Sequence, residues 1–287
     1  MKNYKYIISC FFISALIFSN GCNTGINLFS QSDDVNLGSE VSSEIAKNSK
    51  EYPIFKGDPS IKKYITNRIF KHILTSQQIA SRKIYKYQLE IIDNPKVFNA
   101  FALPGGYIYV YTGLLKYLDS EAALAGVLGH EIAHAERRHG TKRITASYGV
   151  GFLLNLVLGR NPSQISQIAS NLFVGLAFLA NSRSDENDAD EFSYNFLKDT
   201  RYYPGGVKFF FEHMKADNLV KNNPGEIEKF LSTHPDPIDR IASTDERLNA
   251  SRLQILHYTS KGKGIYRNLY FKNVKNKLIK YYKRKQK

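Results

Sequence analysis

The stretch 128-LGHEIAHAERRH-139 holds three histidines and two glutamates in twelve residues. It reads as part of a helix that Asp119 or Ser120 caps and that runs to about Arg143. At about 100° per residue, His130 and His134 stand about 40° apart, one turn from each other on one face. Two imidazoles so placed can share one zinc ion. Glu131 sits at the edge of the same face. It is poorly placed as a ligand and well placed to take a proton from a water at the metal. Two ligands and a base are the logic of HExxH. Geometry sets two neighbours aside. His139 falls on the opposite face of a continuous helix, and Glu136 lies about 200° round from His134. The longer metzincin pattern would need Gly at 137 and His at 140, where the chain has Arg137 and Gly140. A third ligand must come from elsewhere.

The best donor is 181-NSRSDENDADEF-192, with acidic residues at 185, 186, 188, 190 and 191 on an expected helix. Glu186 and Asp190 are i, i+4 and share a face. One carboxylate can ligate while the next, a turn on, accepts a proton from a ligand imidazole, which fixes the tautomer. Around these two segments the chain reads as mainly helical. Helices are expected over 34–49, 59–75 (Asp58 capping, Pro59 at the first position), 183–199, 204–216 and 237–249. Residues 84–92, 98–102 and 107–112 are rich in branched and aromatic side chains and read as a small three-stranded sheet. Two apolar segments, 144–158 and 165–180, are each about 15 residues. They read as a buried hairpin, since spanning a bilayer takes roughly 20. The expected class is α+β, predominantly α, in a single domain.

Length and composition are consistent with that. The chain has 287 residues and 43% hydrophobic content, enough for a sizeable core. Its formal charge of +14 is concentrated at one end. Residues 251–287 carry twelve Lys or Arg and no Asp or Glu, against 28 basic and 26 acidic residues before them. A nearly neutral body with a basic tail argues against a nucleic-acid partner. The two cysteines, Cys10 and Cys22, exclude a disulfide framework or cysteine zinc ligands in the body. Lys2 and Lys5 precede a short apolar run, Ile7 to Phe18, and then Ser19-Asn20-Gly21-Cys22. This reads as an export signal over 1–21 with Cys22 as a lipidated first residue, although Ser19 stands where a lipobox usually has Leu. The division that follows is a tether over 22–33, a catalytic domain over 34–250 and a basic tail over 251–287. In the tail, Leu269, Val274, Leu278 and Tyr281 recur at helical spacing, as in a basic amphipathic helix lying on anionic lipid.

Four pieces carry a specific resemblance: 99-NAFALPGGYIYVYTGLL-115, 121-EAALAGVLGHEIAHAERRH-139, 181-NSRSDENDADEFSYNFL-197 and 232-STHPDPIDRI-241. Together they resemble the gluzincins of metallopeptidase family 48. That family includes HtpX, the CAAX prenyl protease and the BepA-like and LoiP-like periplasmic metalloproteases. One departure is Ala123, where relatives often carry Glu. The resemblance implies a zincin-type catalytic domain with one zinc ion on His130, His134 and Glu186. It implies Glu131 as catalytic base and Asp190 behind a ligand imidazole. It places His234 and Arg240 over the site, either to support an oxyanion or, for His234, to fill a fourth zinc position at rest. The strand Gly106, Tyr107, Ile108, Tyr109 is expected to hydrogen-bond a substrate backbone. The implied activity is a zinc endopeptidase of polypeptide substrates. Its implied setting is the periplasmic side of a bacterial membrane, anchored through Cys22 and aided by the basic tail, in quality control of envelope proteins. The rival is a latent protease acting as a chaperone or assembly factor.

Overall fold

The structure, a computed structural model, describes residues 26–148, 181–219, 232–235 and 237–286. The export signal, Cys22 and most of the apolar hairpin (149–180) lie outside these residues.

The architecture is built round one helix. Ser30 caps α1 (Gln31–Lys47) through a reciprocal pairing with Asp33. Asp58 caps α2 (Pro59–Tyr64), which continues through a π-helical stretch, Ile65–Phe70, to Lys71–Ile73. Strands β1 (Gln88–Ile92), β2 (Ala100–Leu103) and β3 (Tyr107–Tyr111) follow, then α3 (Thr112–Tyr117) and α4 (Glu121–Glu136). After α4 come α5 (His139–Tyr148), α6 (Arg183–Lys198), α7 (Gly206–Ala216) and α8 (Pro237–Ala250). α9 is a C-terminal helical run of Arg267–Tyr270, a π-helical Phe271–Lys275 and Asn276–Lys285.

α4 is rich in Ala, Leu and Gly, and every residue from Glu121 to Ala135 is buried. A helix apolar on all sides belongs in a core, and α4 packs against α6, α7 and the sheet. The sheet runs in the order β1-β3-β2, with β1 parallel and β2 antiparallel to β3. Its period of two splits the side chains between two cores. Ile108 and Val110 face the α4 side, while Tyr109 and Tyr111 face Leu37, Val41 and Ile45 of α1.

Three expectations need correction. First, the helix through the opening stretch does not run on to Arg143. It stops at Glu136, and Arg138 takes a left-handed backbone (φ 61) before α5 begins at His139. No Gly or Pro announces this break. Arg138 occupies the left-handed position where Gly is usual, held by an ion pair to Asp34 (2.5 Å) and a hydrogen bond to the Phe29 carbonyl. Second, β3 is the central strand. Both of its edges are hydrogen-bonded, so Gly106, Tyr107, Ile108 and Tyr109 offer no free edge to a substrate. Gly106 lies in the turn before β3 with φ 92. Third, the basic tail is not a separate appendage. Tyr270, Val274 and Leu278 are buried in the main core. Arg267 (2.8 Å) and Lys275 (2.5 Å) both pair with Asp119, at the start of α4. Of the stripe expected to face lipid, Val274 and Leu278 are buried in the core, while Leu269 is exposed.

Candidate metal centre

Close approach of helices sets the site. A Cβ on Gly126 would fall on the backbone of Val207 in α7, and one on Gly129 would lie 2.7 Å from Ser193 Oγ in α6. Ser193 donates to the Gly126 carbonyl at 2.9 Å. These small residues let α6 lie against α4 with its acidic face on the histidines. Ser182 caps α6, which puts Glu186 in the first turn, where the helix dipole favours a carboxylate.

The donors converge. His130 Nε2 lies 2.9 Å from His134 Nε2, 3.3 Å from Glu186 Oε2 and 3.4 Å from His234 Nδ1. His134 Nε2 is 3.2 Å from Glu186 Oε1, and His234 Nδ1 is 3.1 Å from the same carboxylate. One atom from each of these four buried residues lies within 4.8 Å of all the others. Ligand atoms on a tetrahedral zinc at about 2.0–2.1 Å sit about 3.3 Å apart. The measured separations bracket that value, and three imidazoles with one carboxylate are a zinc donor set. The surrounding charge agrees: three buried carboxylates, Glu131, Glu186 and Asp190, face the guanidinium of Arg240. Such a site stabilises a cation.

The titrations show the same field. Burial and Arg240 push His130 down, but Glu186 and Asp190 outweigh them and raise it to about 9. Burial, joined by His130, holds His134 well below its ordinary value. Burial works against the Glu186 carboxylate, yet His234, Arg240 and His130 hold it well below the usual range. Glu131 moves the other way: burial raises it, against the pull of His234 and His130. Its carboxylate lines the same cleft as His134 and His234, with His234 Nε2 at 3.7 Å.

Behind the donors, Asp190 Oδ1 holds His130 Nδ1 at 2.8 Å. Arg240 grips both oxygens of Asp190 (Nε 2.7 Å, Nη2 2.6 Å) and pairs through Nη1 with Glu186 at 2.7 Å. The guanidinium also rests 4.3 Å over the Phe211 ring. The Nε and Nη2 donors of Arg240 go to Asp190, and it is not among the residues lining the cleft. His234 lies with the other three donors, and its Nε2 also faces Glu131. Phe101, Ala102 and Leu103 of β2, the outer strand on that side of the sheet, line the cleft beside Glu131.

Sequence reasoning missed two contributors. Asn181 Nδ2 donates to Glu186 Oε1 (2.6 Å) and to the Thr233 carbonyl (3.0 Å), tying the ligand to the segment that bears His234. It stands at the head of the acidic stretch, but no local pattern marks it. His139, set aside on helical geometry, is in contact with His134.

Comparison with known proteins agrees with this geometry. The chain is 30% identical over 190 residues to the mitochondrial metalloendopeptidase OMA1 of Schizosaccharomyces pombe, covering 66% of this chain and 53% of that one. It is 26% identical over 208 residues to the beta-barrel assembly-enhancing protease of Escherichia coli, covering 69% of this chain and 41% of that one. The match thus spans about half, or less, of these relatives' length. The model of peptidase family M48 matches residues 61–248, which contain all four donors, Glu131 and Asp190. With His130, His134 and Glu186 converging on a zinc-type donor set inside that match, the chain belongs to peptidase family M48.

Proposed function

We propose that this protein is a zinc-dependent endopeptidase that cuts misfolded or misassembled proteins of a bacterial cell envelope. The observation that carries the chemistry is the convergence of His130, His134 and Glu186 beside the buried Glu131, in a cleft lined by an outer strand. Bound zinc would supply Lewis-acid polarisation of a carbonyl and bring the pKa of a coordinated water toward about 7. The chain's own residues do the rest. Glu131 takes the proton of the attacking water and hands it to the leaving amine. Asp190, clamped by Arg240, keeps the His130 Nδ1 proton in place and its other nitrogen turned to the metal. The backbone of β2, near Phe101–Leu103, offers the strand edge along which an extended substrate can pair.

The envelope setting rests on the N-terminal segment, where a basic start, a short apolar run and Cys22 read as a lipoprotein signal. It also draws on the name of the Escherichia coli relative, the beta-barrel assembly-enhancing protease. Cys22 is then the anchor to the membrane, with the catalytic domain on its periplasmic side. Among the described residues no helix is long and apolar enough to cross a membrane.

A second reading is favoured by one observation. His234 already occupies the fourth donor position, so the protein at rest is closed to substrate and acts as a latent protease or an assembly factor until the 232–235 segment moves. One experiment separates the two readings. Wild type and Glu131→Gln are compared on unfolded outer-membrane-type proteins, with zinc content measured in both. The peptidase reading expects cleavage by wild type alone, with zinc in both. Equal cleavage by both would sink it, and suppression of aggregation without cleavage by either would favour the second reading.

A further inference from the structure

His139 is 2% exposed and stands directly behind a zinc ligand. Its Nδ1 lies 2.8 Å from His134 Nδ1, and its Nε2 lies 3.0 Å from Asp188 Oδ2. Asp188 is held in turn by Arg137 Nε at 2.7 Å. The proton assignment along this row has one consistent solution. If His134 Nε2 faces the metal, its Nδ1 carries the proton and must donate. His139 Nδ1 then accepts, so His139 Nε2 carries the proton and donates to Asp188. Each imidazole nitrogen in the row then acts in its correct sense, and Asp188 Oδ2 accepts from both His139 and Arg137.

We propose that His139 and Asp188 are positioning residues for the metal, forming a relay in which Asp188 fixes the tautomer of His139 and His139 fixes that of His134. The two zinc-ligand histidines would then be supported differently: His130 by a carboxylate directly, His134 by a carboxylate through a second imidazole. The turn that makes this possible is anchored. Arg138, left-handed and tied to Asp34 and the Phe29 carbonyl, ends α4 and swings His139 back onto the ligand face. Asp188 is suited to its end of the row, because its Oδ2 accepts from both His139 Nε2 and Arg137 Nε. A buried interaction of this kind raises ligand basicity and fixes ring orientation, and its loss typically lowers metal affinity about 10–100-fold.

The inference rests on the metal-site reading, and its test does not use cleavage. Zinc affinity of the full-length protein is measured by chelator competition for wild type, His139→Leu, His139→Asn and Asp188→Ala. The absorption spectrum of the cobalt-substituted forms is recorded alongside. His139→Leu removes the acceptor from His134 and is expected to bind zinc about 10–100-fold more weakly, with a shifted cobalt spectrum. His139→Asn places an amide oxygen near the old Nδ1 and is expected to recover most of the affinity. Asp188→Ala should fall between them. Zinc binding by folded His139→Leu within about threefold of wild type, with an unchanged spectrum, overturns the relay while leaving the zinc site standing. If His139→Leu does not fold, an Asp188→Ala protein with wild-type affinity and spectrum overturns it instead. A wild type that binds no zinc overturns the metal reading and the relay with it.

Discussion

At the residue scale, Asp190, Glu186 and Arg240 answer one another's buried charges, and that makes the roles separable. In the proposed site Glu186 would bind the metal directly, and it is itself steadied by Asn181 and Arg240. Glu186→Ala is expected to lose stoichiometric zinc, read by metal analysis after dialysis, and cleavage with it. Arg240 acts one step back. Arg240→Lys keeps a positive charge but cannot fork onto both oxygens of Asp190. The expected result is roughly tenfold weaker zinc binding, and a lysine variant with undiminished affinity would show that charge alone suffices. Glu131 differs from both, because it holds no metal. In Glu131→Gln, zinc should stay bound while turnover drops by about 10²–10⁴-fold, the usual worth of a general base. Glu136, four residues before Gly140, is a contrast. It lies off the metal face as helical geometry required, and accepts from Ala80 and Ser81 N–H groups and from Tyr87.

At the element scale, the α4–α6 pair is the device that turns two sequence motifs into one site. The pairing depends on Gly129 being small, where a larger residue would press on Ser193 of α6, and Gly126 does the same for α7. Gly126→Ala puts a methyl group on the Val207 backbone, which cannot yield as a flexible side chain would. Overpacking of this kind costs about 1–3 kcal/mol. Chemical denaturation should show that loss, because the added methyl group presses on the start of α7. Unchanged stability in Gly126→Ala would mean that the helices separate freely. The sheet makes a further point at this scale. The pattern of branched and aromatic residues marks three strands, but strand order is a long-range matter. Only pairing decides that β3 is central and β2 outermost.

For the whole molecule, the C-terminal helix is packed into the structural unit. Tyr270, Val274 and Leu278 enter the main core, Tyr270 donates to the Leu115 carbonyl, and Arg267 and Lys275 meet Asp119. Leu278→Ala should therefore destabilise the protein by about 2–5 kcal/mol, the usual cost of a buried Leu truncation. Deleting 251–287 should abolish a cooperative melt. A truncated protein that melts as sharply and as high as the full chain would refute this and return the tail to the membrane. The exposed charges on the same helix, such as Lys283 and Arg284, are expected to change stability little when replaced.

The local chemistry was legible in the chain itself. Spacing alone put His130 and His134 on one face with Glu131 beside them, and the i, i+4 pair Glu186 and Asp190 on another. Those are short-range facts of helical periodicity, which any fold preserving the helices must keep. The sequence also marked the small sheet and most helices, because apolar periodicity and caps are written locally. Tertiary structure decided what depends on where a helix stops and what lies across from it. A left-handed Arg138, stabilised by Asp34 more than a hundred residues earlier, breaks the helix without a Gly to mark it. That break carries His139 from the far face of an ideal helix to the back of His134. Packing across α4, α6 and α8 sets Arg240 on Asp190 and Glu186, and core burial claims Val274 and Leu278 of the tail. Each outcome turns on contacts between distant residues, which helical periodicity does not encode.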